Sequence, residues 1–306
     1  MSQETHRISH SEAAPASTLS DWVSLLRPKQ WVKNAFVLAP VLFGGRAGEP
    51  SAVTAAVTAA ALFSLLASGI YAMNDAYDAE SDRAHPRKRL RPIAAGRISQ
   101  RTGAMVGLAL AALAALGAWL LEPRFGMIAL SYVLVNVAYT LKIKEVVILD
   151  VFAVSSFFLM RLLAGAAVVQ VAPSIWLLLC GGLLALYLGF AKRRNELVML
   201  GAGSSDHREV LRKYGPEFLD QMSSVLLSVT VVSYLMYTLS SETAERVGSE
   251  VLAYSVVFVL YGVFRYLYLS HRHGGGGDPS ETLVTDKPLM GSVVLWVAYC
   301  AWVLYL

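Results

Sequence analysis

Three carboxylates and one amide occur at a spacing that could hold a metal ion: Asn74-Asp75-x-x-Asp78-x-x-x-Asp82. On a continuing helix, positions 75, 78 and 82 fall at i, i+3 and i+7 and share one face. Carboxylates so placed repel one another unless a cation sits among them. An oxygen-only set suits Mg²⁺, a hard ion that keeps several waters and reaches phosphate oxygens. Arg83, Arg87, Lys88, Arg89 and Arg91 follow directly. Acids followed by cations fit a metal-bridged diphosphate whose remaining charge is met by Arg and Lys. An acidic, solvated helix end is the plain alternative, but it leaves the five cations unexplained. Asp75, Asp78 and Asp82 are therefore the expected catalytic and metal-binding residues. Asn74, Arg83, Lys88, Arg89 and Arg91 are expected on the substrate.

A second polar stretch, AKRRNELVMLGAGSSDHREVLRKYG, carries Lys192, Arg193, Arg194, Arg208, Arg212 and Lys213, with Glu196, Asp206 and Glu209 but no D-x-x-x-D. Six cations in one stretch suit direct phosphate contacts. A basic stop at a helix end is the plain alternative for Lys192-Arg193-Arg194, but Lys192, Arg193, Arg194 and Glu196 are expected at the substrate's phosphates. Glu196 lies one turn after Lys192, where it can hold a cation in place. Tyr139, Lys142 and Lys144 close another apolar run, where cations favour a helix C-terminus anyway; Lys144 is assigned to the surface. Asp150 and Arg161 lie within one apolar run, where an ionisable group faces a polar interior. Eleven residues separate them, about 16 Å along a helix, so each needs another partner. Asp150 is expected near the substrate; Arg161 fits a structural or a functional role equally. Trp31 is expected as an interface anchor, with Lys33 and Asn34 one turn deeper and facing the site.

The elements that must position these residues are apolar helices. Of 306 residues, 56% are hydrophobic and 16% charged, against about 25% charged in soluble domains. That excludes a disordered chain and argues against a soluble globule. Apolar runs long enough for a bilayer fall at Trp31–Gly44, Ala52–Met73, Ala104–Leu121, Phe125–Leu141, Val146–Val169, Ser174–Ala191, Met222–Leu239, Val251–Tyr268 and Pro288–Leu306. Residues 1–20 are expected as a flexible cytoplasmic tail without a signal peptide, residues 21–306 as a single nine-helix membrane domain, and Gly274–Gly277 as a loop tip. Of the 26 Lys and Arg, Arg46, Arg124 and Arg246 lie on one side, Arg161 lies within a span, and the other 22 share the opposite side. The positive-inside rule then places the N-terminus in the cytoplasm and the C-terminus outside. The net charge of +4 is explained by basic loops at a membrane rather than by nucleic acid. The two cysteines, Cys180 and Cys300, lie in apolar runs and form neither a disulfide framework nor a metal site. There is no Ser-His-Asp set, zinc spacing, G-x-G-x-x-G or Walker loop.

The acidic motif at the end of the second of nine helices resembles the UbiA superfamily of membrane prenyltransferases. Three further segments are similar to a branch of that superfamily whose donor is the soluble sugar PRPP and whose acceptor is a polyprenyl (decaprenyl) phosphate. They are Arg27-Pro28-x-Gln30-Trp31-x-Lys33-Asn34, Lys88-Arg89-x-Arg91-Pro92-Ile93-Ala94-Ala95-Gly96 and Lys192-Arg193-Arg194-x-Glu196-Leu197. The resemblance implies an all-α bundle with a cytoplasm-facing cavity in a bacterial cell membrane, Mg²⁺ as cofactor, and a lipid-linked precursor of cell-wall arabinan as product. It also implies that Tyr139 and Lys142 lie near the diphosphate and that His207-Arg208 contacts phosphate. The expected partners are PRPP, the lipid phosphate and membrane lipids; the sequence is also compatible with a homo-oligomer. Two rivals stand beside this: a transferase moving a prenyl group onto an aromatic or haem-like acceptor, and a transporter or lipid scramblase. Transporters place charges at mid-membrane on paired repeats; here the polar residues gather on one membrane face.

Overall fold

The computed structural model describes residues 17–86, 88–200, 211, 213–247, 250–272 and 279–305. Arg87, the 201–210 segment with Asp206, His207, Arg208 and Glu209, Arg212, the Gly274–Gly277 run and most of the N-terminal tail lie outside the described residues. Among the described residues all regular structure is helical. The long elements are α3 (Pro50–Tyr77), α5 (Gln100–Leu121), α6 (Pro123–Leu141), α7 (Leu149–Val168), α8 (Ile175–Leu200), α9 (Pro216–Leu239), α11 (Val256–Arg272) and α13 (Lys287–Tyr305). Short helices α1 (Leu19–Leu26), α2 (Ala39–Phe43), α4 (Ala79–Ala84), α10 (Ser241–Val247) and α12 (Pro279–Thr285) lie between them. Among the described residues eight helices are long and apolar enough to cross a membrane, and the protein is an all-α integral membrane protein.

The first expected span is where the structure departs from the sequence pattern. Thr18 and Asp21 cap α1 reciprocally, and Arg97 Nε donates to Asp21 Oδ1 at 2.6 Å. The Thr18 amide and the Arg97 guanidinium hold the Asp21 carboxyl down at about 2. Because the folded value is depressed, this contribution to stability is present at neutral pH and is lost as pH falls from about 4 toward 2. α1 ends at Arg27 in the left-handed region (φ 53°, ψ 58°). Pro28 then opens a 3₁₀ helix, Pro28–Val37, which passes into α2. Trp31–Gly44 is therefore a broken segment rather than one α-helix.

It still runs antiparallel to the whole of α3. Arg27 meets Asp75, Trp31 Nε1 donates to Ser68 Oγ at 3.0 Å, and Asn34 Nδ2 donates to Ser64 Oγ at 2.8 Å. Val41 packs with Ala52 and Ala56 near the start of α3. A 3₁₀ helix rises about 2.0 Å per residue, so Pro28–Phe43 spans roughly 27 Å, close to a bilayer core. A broken segment of that length matches a ninth passage, which the length and apolarity of a single helix do not reveal. Trp31 is a hydrogen-bonded contact within this passage as well as an exposed ring.

The main core joins α3, α5, α6 and α7 through Phe63, Leu66, Ile70, Ala111, Ala114, Phe125, Tyr132 and Phe157. The α3–α5 crossing is close because both backbones lack side chains where they touch. A Cβ on Gly107 would sit 2.7 Å from Gly69 O and 3.0 Å from Met73 N. Gly107→Val should force the two helices apart at the base of the acidic motif. The expected cost is at least the ~1–3 kcal/mol of an overpacked core, read as a lower melting temperature of purified protein. A melting temperature equal to wild type would show that the crossing is loose.

Candidate active site

α3 ends at Tyr77. Asp78 caps it in the bridge region (φ −86°, ψ 5°), and α4 begins at Ala79. The expected continuous helix is thus interrupted at Asp78. The i→i+4 bonds into and out of the break survive, Asp78 N–H to Asn74 O and Asp82 N–H to Asp78 O, both at 2.9 Å. Asp75 and Asp82 therefore keep a common face while Asp78 turns aside.

Asp75 and Asp82 are only 3% and 2% exposed, and one nitrogen joins them. Arg91 Nη1 lies 2.9 Å from Asp75 Oδ1 and 2.6 Å from Asp82 Oδ2. Arg27 Nη2 donates to the same Asp75 oxygen at 2.5 Å, its guanidinium 4.9 Å from the Tyr71 ring centre. Lys88 Nζ stands 3.8 Å from Asp82 Oδ1. Asp78, partly exposed, faces Lys144 Nζ at 3.4 Å. Four cations from three chain segments thus converge on three carboxylates. Hard oxygen donors that share one cationic group at hydrogen-bond distance can hold a divalent ion there. No three acidic, His or Cys side chains among the described residues converge on one metal position; Asp78 faces Lys144 instead.

A second polar cluster lies alongside. Arg193 is 3% exposed, and its three nitrogens reach three acceptors. Nε donates to Asp150 Oδ2 at 2.6 Å, Nη1 to Glu196 Oε2 at 2.8 Å and Nη2 to Tyr139 Oη at 3.0 Å. Tyr214 Oη donates to the other Asp150 oxygen at 2.7 Å. The end of α6 connects the clusters: Tyr139 belongs to the second, and Thr140 Oγ1 donates to Asn74 Oδ1 at 3.1 Å beside the first.

The structure brings together Asn74, Asp75, Asp78, Asp82, Lys88 and Arg91 in one cluster and Tyr139, Asp150, Arg193 and Glu196 in the other. It places the remaining candidates differently. Arg83 and Arg89 are exposed, Arg83 donating to Ala94 O at 3.2 Å. Arg194 turns away to Asp220 at 2.8 Å, and Lys192 is partly buried beside it in α8. Lys33 is partly buried. Asn34 accepts from Arg161 Nε at 2.7 Å, and Arg161 also donates to Phe157 O at 2.7 Å among the Phe63, Tyr132 and Phe158 rings. Arg161 thus fastens the broken passage to α7. The order of the two lysines is reversed. Lys142 is exposed, whereas Lys144, assigned to the surface from the sequence, is the one against Asp78. The helix ends at Lys142 (φ −143°, ψ −46°), so helical spacing no longer decides which side chain points inward. Arg27, named only within a segment of resemblance, and Tyr214 belong to these clusters without having been assigned to the site. Pro28 was the available signal for Arg27, since a turn before a helix start can aim the preceding side chain across it.

The profile of the UbiA prenyltransferase family matches residues 35–277. The chain is 30% identical over 289 residues to decaprenyl-phosphate phosphoribosyltransferase of Mycobacterium tuberculosis (strain ATCC 25618 / H37Rv), covering 93% of this chain and 94% of that protein. It is 31% identical over 291 residues to the Corynebacterium glutamicum protein of the same name, covering 92% and 86%. A solved UbiA homolog from Archaeoglobus fulgidus, bound to GPP and Mg²⁺, shares the fold at a TM-score of 0.70 and 20% identity, covering 94% of this chain and 100% of that one. With the family profile spanning most of its length and two relatives matched nearly end to end, this chain belongs to the UbiA prenyltransferase family.

Proposed function

We propose that the protein transfers the 5-phosphoribosyl group of PRPP to the phosphate of a polyprenyl lipid, decaprenyl phosphate, and releases diphosphate. The observation that carries this reading is the match, nearly end to end at 30% and 31% identity, to two proteins named for that lipid phosphate and that transfer. The cation-rich site supports it. A donor with a diphosphate and a 5-phosphate, together with a lipid phosphate, brings three anionic groups to one cavity. Arg27, Lys88, Arg91 and Lys144 surround the acidic cluster, and Lys192 lies on α8 next to Arg193 of the second cluster. The product would be a lipid-linked phosphoribose that supplies cell-wall arabinan.

In this reaction a lipid phosphate oxygen forms the bond to ribose C1 as the C1–O bond to diphosphate breaks. The electron pair leaves with diphosphate, and C1 is inverted. The acceptor is already ionised at neutral pH, so no general base is needed. Asp75 and Asp82 would hold Mg²⁺, joined by Asp78 on leaving Lys144, and the ion would supply charge stabilisation to the departing diphosphate. Arg91 and Arg27 hold the buried carboxylates in place and present their remaining N–H groups toward phosphate oxygens. Asn74, fixed by Thr140, orients the start of the motif. Lys144 and Lys88 meet charge at the rim. Arg193 ties Asp150, Glu196 and Tyr139 into a wall beside the donor.

Membranes containing the protein should move label from radiolabelled PRPP into lipid, in the presence of decaprenyl phosphate and Mg²⁺, and EDTA should abolish the transfer. Label entering lipid only from a prenyl diphosphate would instead favour the aromatic or haem-like acceptor.

The N-terminus is proposed to lie inside and the C-terminus outside. Arg27 sits at the Asp75 end of α3, whereas Tyr305 Oη donates to Val41 O and Leu42 O at the far end. An odd number of passages follows. A cysteine at position 22 and one at position 304 should react with impermeant maleimide from opposite sides; labelling of both from one side would refute the topology.

A further inference from the structure

Ile148 has φ 70°, a left-handed conformation that a β-branched residue resists. It lies between Lys144, which faces Asp78, and Asp150, which holds Arg193. Something must hold this turn, and one side chain from a distant part of the chain is bonded to it. Tyr214, in the turn before α9, accepts the Ile148 N–H on its hydroxyl at 2.5 Å and donates the same hydroxyl to Asp150 Oδ1 at 2.7 Å. Asp150 is fully buried. The Tyr214 ring is fixed separately, by Phe190 at 6.5 Å and Phe218 at 6.1 Å between ring centres. Burial and the Asp150 carboxylate push the phenol above its ordinary value, so the hydroxyl keeps the proton it donates.

We propose that Tyr214 is a positioning residue for the transfer reaction: its hydroxyl latches the strained Ile148 turn and thereby holds Lys144 where it meets the donor's diphosphate. The latch ties the segment before α9 to the segment after α6, so the acidic site and the Arg193 cluster share one fastening. The proposal rests on the reading above only in taking a diphosphate donor, which the rival prenyltransferase also uses.

The test uses the full-length protein in detergent with Mg²⁺ and inorganic diphosphate as the probe. Tyr214→Phe keeps the ring and its packing and removes the hydroxyl. Backbone amides of residues 143–149 should exchange with deuterium at least tenfold faster than in wild type, and calorimetry should show diphosphate affinity falling about tenfold. Lys144→Ala should weaken diphosphate to a similar degree with exchange at 148–149 unchanged, and the double variant should be no weaker than Lys144→Ala alone. Unchanged exchange in Tyr214→Phe overturns the latch. Faster exchange with unchanged diphosphate affinity overturns the positioning role. Undiminished affinity in Lys144→Ala overturns the proposal whether or not the Tyr214 variant folds. If wild-type protein binds diphosphate but transfers nothing from PRPP, the donor assignment fails while these arms still decide the latch.

Discussion

Asp75→Asn should abolish transfer and also weaken the fold, whereas Asp78→Asn should abolish transfer with the fold intact. Asp75 is almost wholly buried and accepts from both Arg27 and Arg91. Removing its charge leaves two guanidinium groups partly uncompensated. Breaking a buried pair by removing one partner costs about 3–5 kcal/mol, less here in proportion to the exposure of the two arginines. Asp78 is partly exposed and among the described residues pairs with Lys144 alone, at 3.4 Å, which is worth at most about 1 kcal/mol. On activity the two should converge, because loss of a group that organises charge at the departing diphosphate costs on the order of 10²–10³ in rate or more. The measurements are lipid-linked label from PRPP and the melting temperature of purified protein. Wild-type turnover in Asp75→Asn would remove the acidic motif from the reaction. Equal melting losses in both variants would mean that Asp78 is as firmly held as Asp75.

The parts of this architecture that were legible in the sequence are those set by local pattern. Apolar runs of bilayer length give the eight long helices, since nothing but a helix satisfies a lone backbone in lipid. The spacing of Asp75 and Asp82 gives their shared face, and it survives the break at Asp78 because the flanking hydrogen bonds do. What was not legible depends on contacts distant in the chain. The 3₁₀ form of Pro28–Val37 is coupled to Trp31 and Asn34 bonding to Ser68 and Ser64, residues on another helix. Lys144 rather than Lys142 turns inward because the chain leaves helical geometry between them. Asp150 and Arg161 were expected to need other partners; those partners, Arg193 and Asn34, lie 43 and 127 residues away. No periodicity encodes such pairings, although the cost of a lone buried charge predicts that they exist.

Arg193→Gln should lower the stability of the ligand-free protein by about 3–5 kcal/mol, and Arg193→Lys should recover only part of that loss. From the sequence, Arg193 was a candidate phosphate contact; in the structure its fork is occupied by Asp150, Glu196 and Tyr139. Those acceptors come from α7, from α8 itself and from the end of α6, so the guanidinium fastens three helices. A lysine carries the same charge and keeps the same basic signal for topology. Its single ammonium cannot span three acceptors in the plane that a guanidinium offers. Asp150→Asn should be comparably destabilising, since it leaves Arg193 buried against fewer negative partners. Asp150 and Arg193 touch directly, so the losses of the two single variants should not add: a double-mutant cycle on denaturation should show a coupling of roughly 0.5–3 kcal/mol. The opposite assignment has a distinct signature. If Arg193→Lys melts like wild type without ligand and only its KM for PRPP rises, the guanidinium is a contact to the donor, and the triple fastening seen here gives way when the donor binds.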